Sequence, residues 1–250
     1  RSVFVMRIPV KFLGGVLLAS FGFQSANAAN VTISPGQADF DLSYKVAFSD
    51  NSGSSVGSFS DTFDYYNIGL SVDRGGYTFG VNATGLLEKD VAEYVDGAFD
   101  GNYGVDRSSY ALSVARRISD SLTLSSGYYT AEVAIGSDPE DENQADDTIE
   151  TEALFASLTY SARLNDTMFW YGRVGAQLNQ ADLTVNANDG LLTATLDGSG
   201  YLLGAGIFYP LSDTTGLTFG AEFKEFNYDG GRWDLSEEQT LFTAGYNFQF

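Results

Sequence analysis

Thr243-Ala244-Gly245-Tyr246-Asn247-Phe248-Gln249-Phe250 alternates apolar and polar side chains, and with Phe242 it puts four aromatic rings, Phe242, Tyr246, Phe248 and Phe250, on one side of an extended strand. A soluble strand with that greasy a face needs a second protein layer to cover it. In a transmembrane β-barrel the lipid covers it instead.

The N-terminal region agrees with the lipid. Arg7 and Lys11 precede an apolar run from Phe12 to Phe23, which leads through Gln24 and Ser25 to Ala26-Asn27-Ala28. A charged segment, a short apolar segment and an A-x-A site together make a secretory signal peptide, so residues 1–28 are expected to be removed. Arg1–Val5 precede Met6, the only plausible initiator. The run Phe12–Phe23, interrupted by Gly14-Gly15, is too short to cross about 30 Å of hydrocarbon as a helix. No other segment approaches the length of a helical span.

Composition narrows the chemistry. Removing residues 1–28 takes away Arg1, Arg7 and Lys11 and no acid, so the formal charge falls from −20 to −23, which repels nucleic acid. With no cysteine there is no disulfide framework and no thiolate ligand. The absence of histidine removes the usual general base and the commonest metal ligand. Ser43 with Lys45 and Asp39 with Asp41 are the pairs a histidine-free catalyst would use, but such pairs arise freely in alternating strands. The expectation is a non-enzyme without a cofactor.

Turn signals recur at a near-constant period. Gly75, Asp120, Asp166 and Asp213 are spaced by 45, 46 and 47 residues, each within a short polar cluster that closes a hairpin through local side-chain hydrogen bonds. Between them the alternation predicts ten strands: 38–48, 65–72, 77–84, 109–115, 121–133, 151–163, 167–181, 199–211, 214–228 and 238–250. The fifth appears broken in parity between Leu124 and Tyr129. The four short turns fall on one side and five long polar loops, about 49–61, 88–107, 134–150, 182–198 and 229–237, on the other. This predicts an all-β, antiparallel up-and-down transmembrane barrel over residues 38–250, with residues 29–37 as a short periplasmic tail and both termini periplasmic. Eight strands are the alternative, at the cost of demoting one hairpin.

Along the strands the lipid-facing positions nearest the turns, Tyr77, Trp170, Tyr209, Phe248 and Phe250, are expected to form an aromatic girdle. Asp39, Asp41, Lys45, Arg117, Arg163, Arg173, Glu222 and Lys224 are assigned inward. A ten-stranded bore is narrow, so Arg173, Glu222 and Lys224 are read as a lumen charge network and not as the lining of a wide pore. The acidic run Asp138–Asp147 is read as a solvated loop with oxygen ligands suited only to weak Ca²⁺ or Mg²⁺ contact. The Asp96-Gly97 and Asp100-Gly101-Asn102 stretch lacks the obligatory glycine of a Ca²⁺ loop, since Val105 stands there.

The pattern Thr243, Gly245, Phe248, Phe250 resembles the C-terminal assembly signal of Gram-negative outer-membrane barrels. Together with the leader it makes the chain, from about residue 6 to 250, similar to small outer-membrane barrels of the OmpA/OmpX or opacity-protein type. The resemblance implies an outer-membrane location, insertion by the barrel assembly machinery, a monomer, contact with lipid and lipopolysaccharide (the latter through divalent cations, given the acidic loops), and a structural or surface-interaction role. A narrow, weakly cation-preferring channel is the alternative.

Overall fold

The computed structural model describes residues 28–47, 53–136, 147–187 and 190–250. These form ten strands: β1 (Ala28–Ala47), β2 (Ser54–Arg74), β3 (Tyr77–Val95), β4 (Ala98–Arg117), β5 (Leu122–Ile135), β6 (Asp147–Arg163), β7 (Phe169–Ala187), β8 (Gly190–Pro210), β9 (Thr215–Gly230) and β10 (Trp233–Gln249). Each pairs antiparallel with its neighbours in sequence, and β1 closes the barrel against β10. Closure satisfies every strand edge, which an open sheet in hydrocarbon cannot do.

The period-45 signals are the turns at one end. Gly75 and Gly76 have φ of +61° and +80°, which a residue with a Cβ adopts only at a cost. Residues 118–121, 164–168 and 211–214 make the other three, and in the second of these Asn165 Oδ1 accepts from the backbone N–H groups of Thr167 and Met168 at 2.9 Å each. Both ends of the described chain lie here too, where Phe250 N donates to Ala29 O at 2.8 Å.

Two expectations about extent are corrected. Residues 29–37 are not a tail but the first half of β1, paired on both sides, with Val31 opposite Phe248 and Leu70. Among the described residues, the long loops are mostly strand as well. Expected loop 88–107 is a hairpin whose tight turn is Asp96-Gly97 (φ +51° and +81°), and 229–237 turns at Gly231-Arg232 between β9 and β10. Polar residues mislead here because the alternation continues through them with the polar side turned outward.

That exchange of faces organises the molecule. In β2 the outward residues near the turns are Tyr66, Ile68, Leu70 and Val72, whereas further along they are Ser58, Ser60, Thr62 and Asp64. The inward ones change the opposite way, from Asn67, Gly69 and Ser71 to the buried Tyr65, Phe63 and Phe59. Likewise β10 holds Leu235 and Leu241 inside and Phe242, 52% exposed, outside. On β7 the outward apolar band runs from Trp170 to Leu178. Eight steps of about 3.4 Å at a tilt of about 40° give a height of about 20 Å, near the ~25 Å of a barrel's lipid belt. A comparable length of strand stands beyond the band, dry inside and wet outside like a soluble β-barrel.

Asp39, Asp41 and Lys45 therefore point outward, correcting their inward assignment, and Phe40, Leu42 and Tyr44 point in. Period-2 alternation defines two faces without saying which is inside. There is also no parity slip in β5. Its register with β4 and β6 is continuous, and Tyr129 is simply a lumen-facing aromatic.

Candidate functional site: the barrel lumen

The lumen begins from small and polar inward residues in the lipid-spanning half. Arg173 on β7 lies opposite Gly204 on β8, which lies opposite Glu222 on β9. Gly204 has no side chain to separate them, so Arg173 reaches across two strands, and its Nη1 stands 3.4 Å from Glu222 Oε2. Lys224, two residues along β9 and so on the same face, places Nζ 3.0 Å from Glu222 Oε1. Arg173 Nε and Nη2 each donate to Ser157 Oγ at 3.2 Å. The three residues grouped from the sequence thus meet as one cluster, two cations on one carboxylate.

Above this cluster, at the level where the exterior turns polar, lies a second ion pair that sequence reasoning missed. Arg107 Nε on β4 donates to Glu237 Oε1 on β10 at 2.8 Å, and both side chains are 3% exposed. Arg107 also donates to the Tyr129 hydroxyl and stands over that ring, 5.9 Å from its centroid. Gln239 donates to the same Glu237 oxygen. Burial works against the Arg107 charge, but the facing Glu237 carboxylate more than offsets it, so the guanidinium is held ionised more firmly than usual. Both residues fall within the loops expected from the sequence, 88–107 and 229–237, which hides them. The available signal was parity, since Arg107 shares the inward phase of Ser109, Ala111 and Ser113.

Around the Arg107 pair, and beyond it at Val105 and Leu235, the bore is apolar. Phe40, Phe63, Phe226, Leu42, Leu196 and Leu241 are all buried to within 2% of complete, and Phe40 meets Phe63 edge-on at 5.8 Å. Nearer the far rim Tyr44 donates to Glu93 Oε1 at 2.5 Å. Burial, with Asp100 and Asp147 nearby, pushes the Glu93 carboxyl above the usual carboxylate range despite that donor.

The other inward assignments, Arg117 and Arg163, end their strands exposed at the turn end, where the Arg163 guanidinium covers the Phe169 ring at 5.7 Å. Of the assembly-signal residues, Thr243 and Gly245 face inward. Gly245 is pressed against Ser34, whose Oγ lies 2.4 Å from where a Cβ would stand. Phe248 and Phe250 face outward beside Tyr246, whose ring is 4.4 Å from that of Phe248. Tyr77, Trp170 and Tyr209 are outward and about 40% exposed, as a girdle requires. The acidic run from Asp138 to Asp146 and residues 1–27 of the expected 1–28 signal peptide lie outside the described residues.

No family model and no curated protein matches this sequence. Among solved structures, the outer-membrane protease OmpT of Escherichia coli is similar with a TM-score of 0.67 at 12% identity, covering 90% of this chain and 98% of that one. The β domain of the Bordetella autotransporter BrkA (TM-score 0.44, 14% identity, 90% of this chain and 100% of that one) and Neisserial surface protein A (0.38, 14%, 90% and 99%) also match. Closed ten-strand topology, a lipid-facing belt and this likeness together give the chain the fold of an outer-membrane β-barrel.

Proposed function

We propose that this protein is a non-enzymatic, monomeric outer-membrane barrel that does not conduct, and that its distal half stands above the bilayer as an acidic surface for contacts outside the cell. The observation that carries this reading is the filled bore. A dry apolar core lies over the Arg107–Glu237 pair, so an ion would have to be stripped of water to pass.

The outer wall supports the second half of the reading. Above the lipid belt it presents Asp39, Asp41, Asp64, Glu150, Glu152 and Asp182, all exposed. A wall so acidic meets anionic lipopolysaccharide favourably only through divalent cations. Absence of catalysis is supported by the chemistry at hand. The chain has no histidine, and Ser43, Lys45, Asp39 and Asp41, the pairs from which a catalyst might be drawn, sit on the water-facing wall of β1.

Planar-bilayer recording on refolded protein tests the proposal. Little or no stable conductance is expected. A small, steady, cation-preferring conductance would instead favour a narrow channel, because the acidic rim concentrates cations. A large anion-selective conductance would defeat both readings.

A further inference from the structure

Within the lipid-spanning half, below Tyr129 and Phe226, the lumen holds a cavity of about 100 Å³. A single water occupies about 10–15 Å³ on that measure, so there is room for several waters or for one small polyatomic ion. Its wall is unusual in what it leaves unmatched. Arg173 and Lys224 bring two positive charges to it, and Glu222 is the only carboxylate in the lining. Within the ion cluster two cations face one carboxylate, which leaves one positive charge in excess.

The amides add unpartnered groups of both kinds. In the cavity wall Gln177 Nε2, a donor, and Asn82 Oδ1, an acceptor, are buried with no hydrogen-bond partner. Two residues along the same inward face of β7, Asn179 is 6% exposed, and neither its Nδ2 nor its Oδ1 has a partner. Unmatched buried polar atoms are costly, and their concentration around one chamber calls for a polar occupant, whose sign is set by the two cations facing one carboxylate.

We propose that this chamber is a binding site for a small, singly charged oxyanion, a carboxylate or phosphate group, held by Arg173, Lys224 and Gln177. One negative charge balances the excess cation. The lumen's enclosure by ten strands excludes a bilayer lipid, so the ligand is a free solute. Access from the turn end is electrostatically permitted. That end carries as many arginines (Arg74, Arg116, Arg117, Arg163) as aspartates (Asp73, Asp120, Asp166, Asp213), while the opposite rim is strongly acidic. The site requires the chamber alone and stands whether or not the bore conducts.

Calorimetric titration of the refolded, full-length mature barrel with inorganic phosphate is the test. Saturable binding at one site is expected, weakened at least about tenfold by R173Q, which removes one cation and its fork of donors. R116Q, at the exposed turn end, should leave it unchanged. No saturable binding to the wild type, undiminished binding to folded R173Q, or an equal loss in R116Q would each overturn the proposal. Folding is verified by the mobility shift between unheated and boiled samples on SDS gels. If R173Q does not fold, Q177A, which alters no charge, decides in its place, with weakened binding supporting the site and unchanged affinity refuting it.

Discussion

Arg107 and Glu237, 130 positions apart in the chain, meet at 2.8 Å inside the barrel with both side chains 3% exposed. The pair ties β4 to β10 across the bore, so it depends on closure and on nothing local. Removing one partner strands a buried charge, and R107L or E237L is expected to destabilise the barrel by about 3–5 kcal/mol. The double mutant R107L/E237L should recover much of the loss, since the neighbouring core is apolar. Urea unfolding of the three variants checks this, and equal stability of the single and double mutants would contradict the assignment.

Gly36 lies on the closing seam, where β1 pairs with β10 opposite Thr243. A Cβ there would stand 1.9 Å from the Phe242 carbonyl oxygen, a backbone atom that cannot swing aside. G36A should cost about 1–3 kcal/mol or more through forced backbone displacement. The seam is also where an unclosed barrel would open, so the fraction of heat-modifiable protein on gels should fall. Normal yield and mobility would count against the register.

Burial holds the Glu93 carboxyl above its usual range, so in the pH interval between its unfolded and folded values the native state binds more proton than the unfolded one. Its contribution to stability is therefore present at low pH and is lost as pH rises through the folded value. E93Q should flatten this dependence. Removing the Tyr44 hydroxyl, which donates to the ionised form, should move the Glu93 titration still higher, measurable by carboxyl ¹³C shifts in Y44F. A downward shift in Y44F would show that the hydroxyl does not stabilise the carboxylate.

Phe250 exchanges backbone hydrogen bonds with Ala29, donating at 2.8 Å and accepting at 3.3 Å, so it forms a rung of the seam as well as the last aromatic of the expected assembly signal. Deleting it should lower the amount reaching the outer membrane in cells. Refolding in detergent, where no assembly machinery reads the signal, should suffer less. Equal losses in the two settings would assign Phe250 to the seam alone.

The strand count, the antiparallel meander and the four short turns are legible in the sequence. These depend on neighbours in the chain: period-2 alternation, and Gly, Asn and Asp closing hairpins at Gly75 and Asn165. The sequence also brings Arg173, Glu222 and Lys224 together, because residues of one parity on adjoining hairpins share a face. Which face is inside becomes visible only in the closed barrel. Alternation is symmetric under exchange of inside and outside, and the solvent against the outer wall changes along each strand from lipid to water. For that reason alternation alone assigns Asp39 and Asp41 to the wrong face and reads strand as loop over 88–107 and 229–237, and Arg107 and Glu237 come face to face only through closure of β1 on β10.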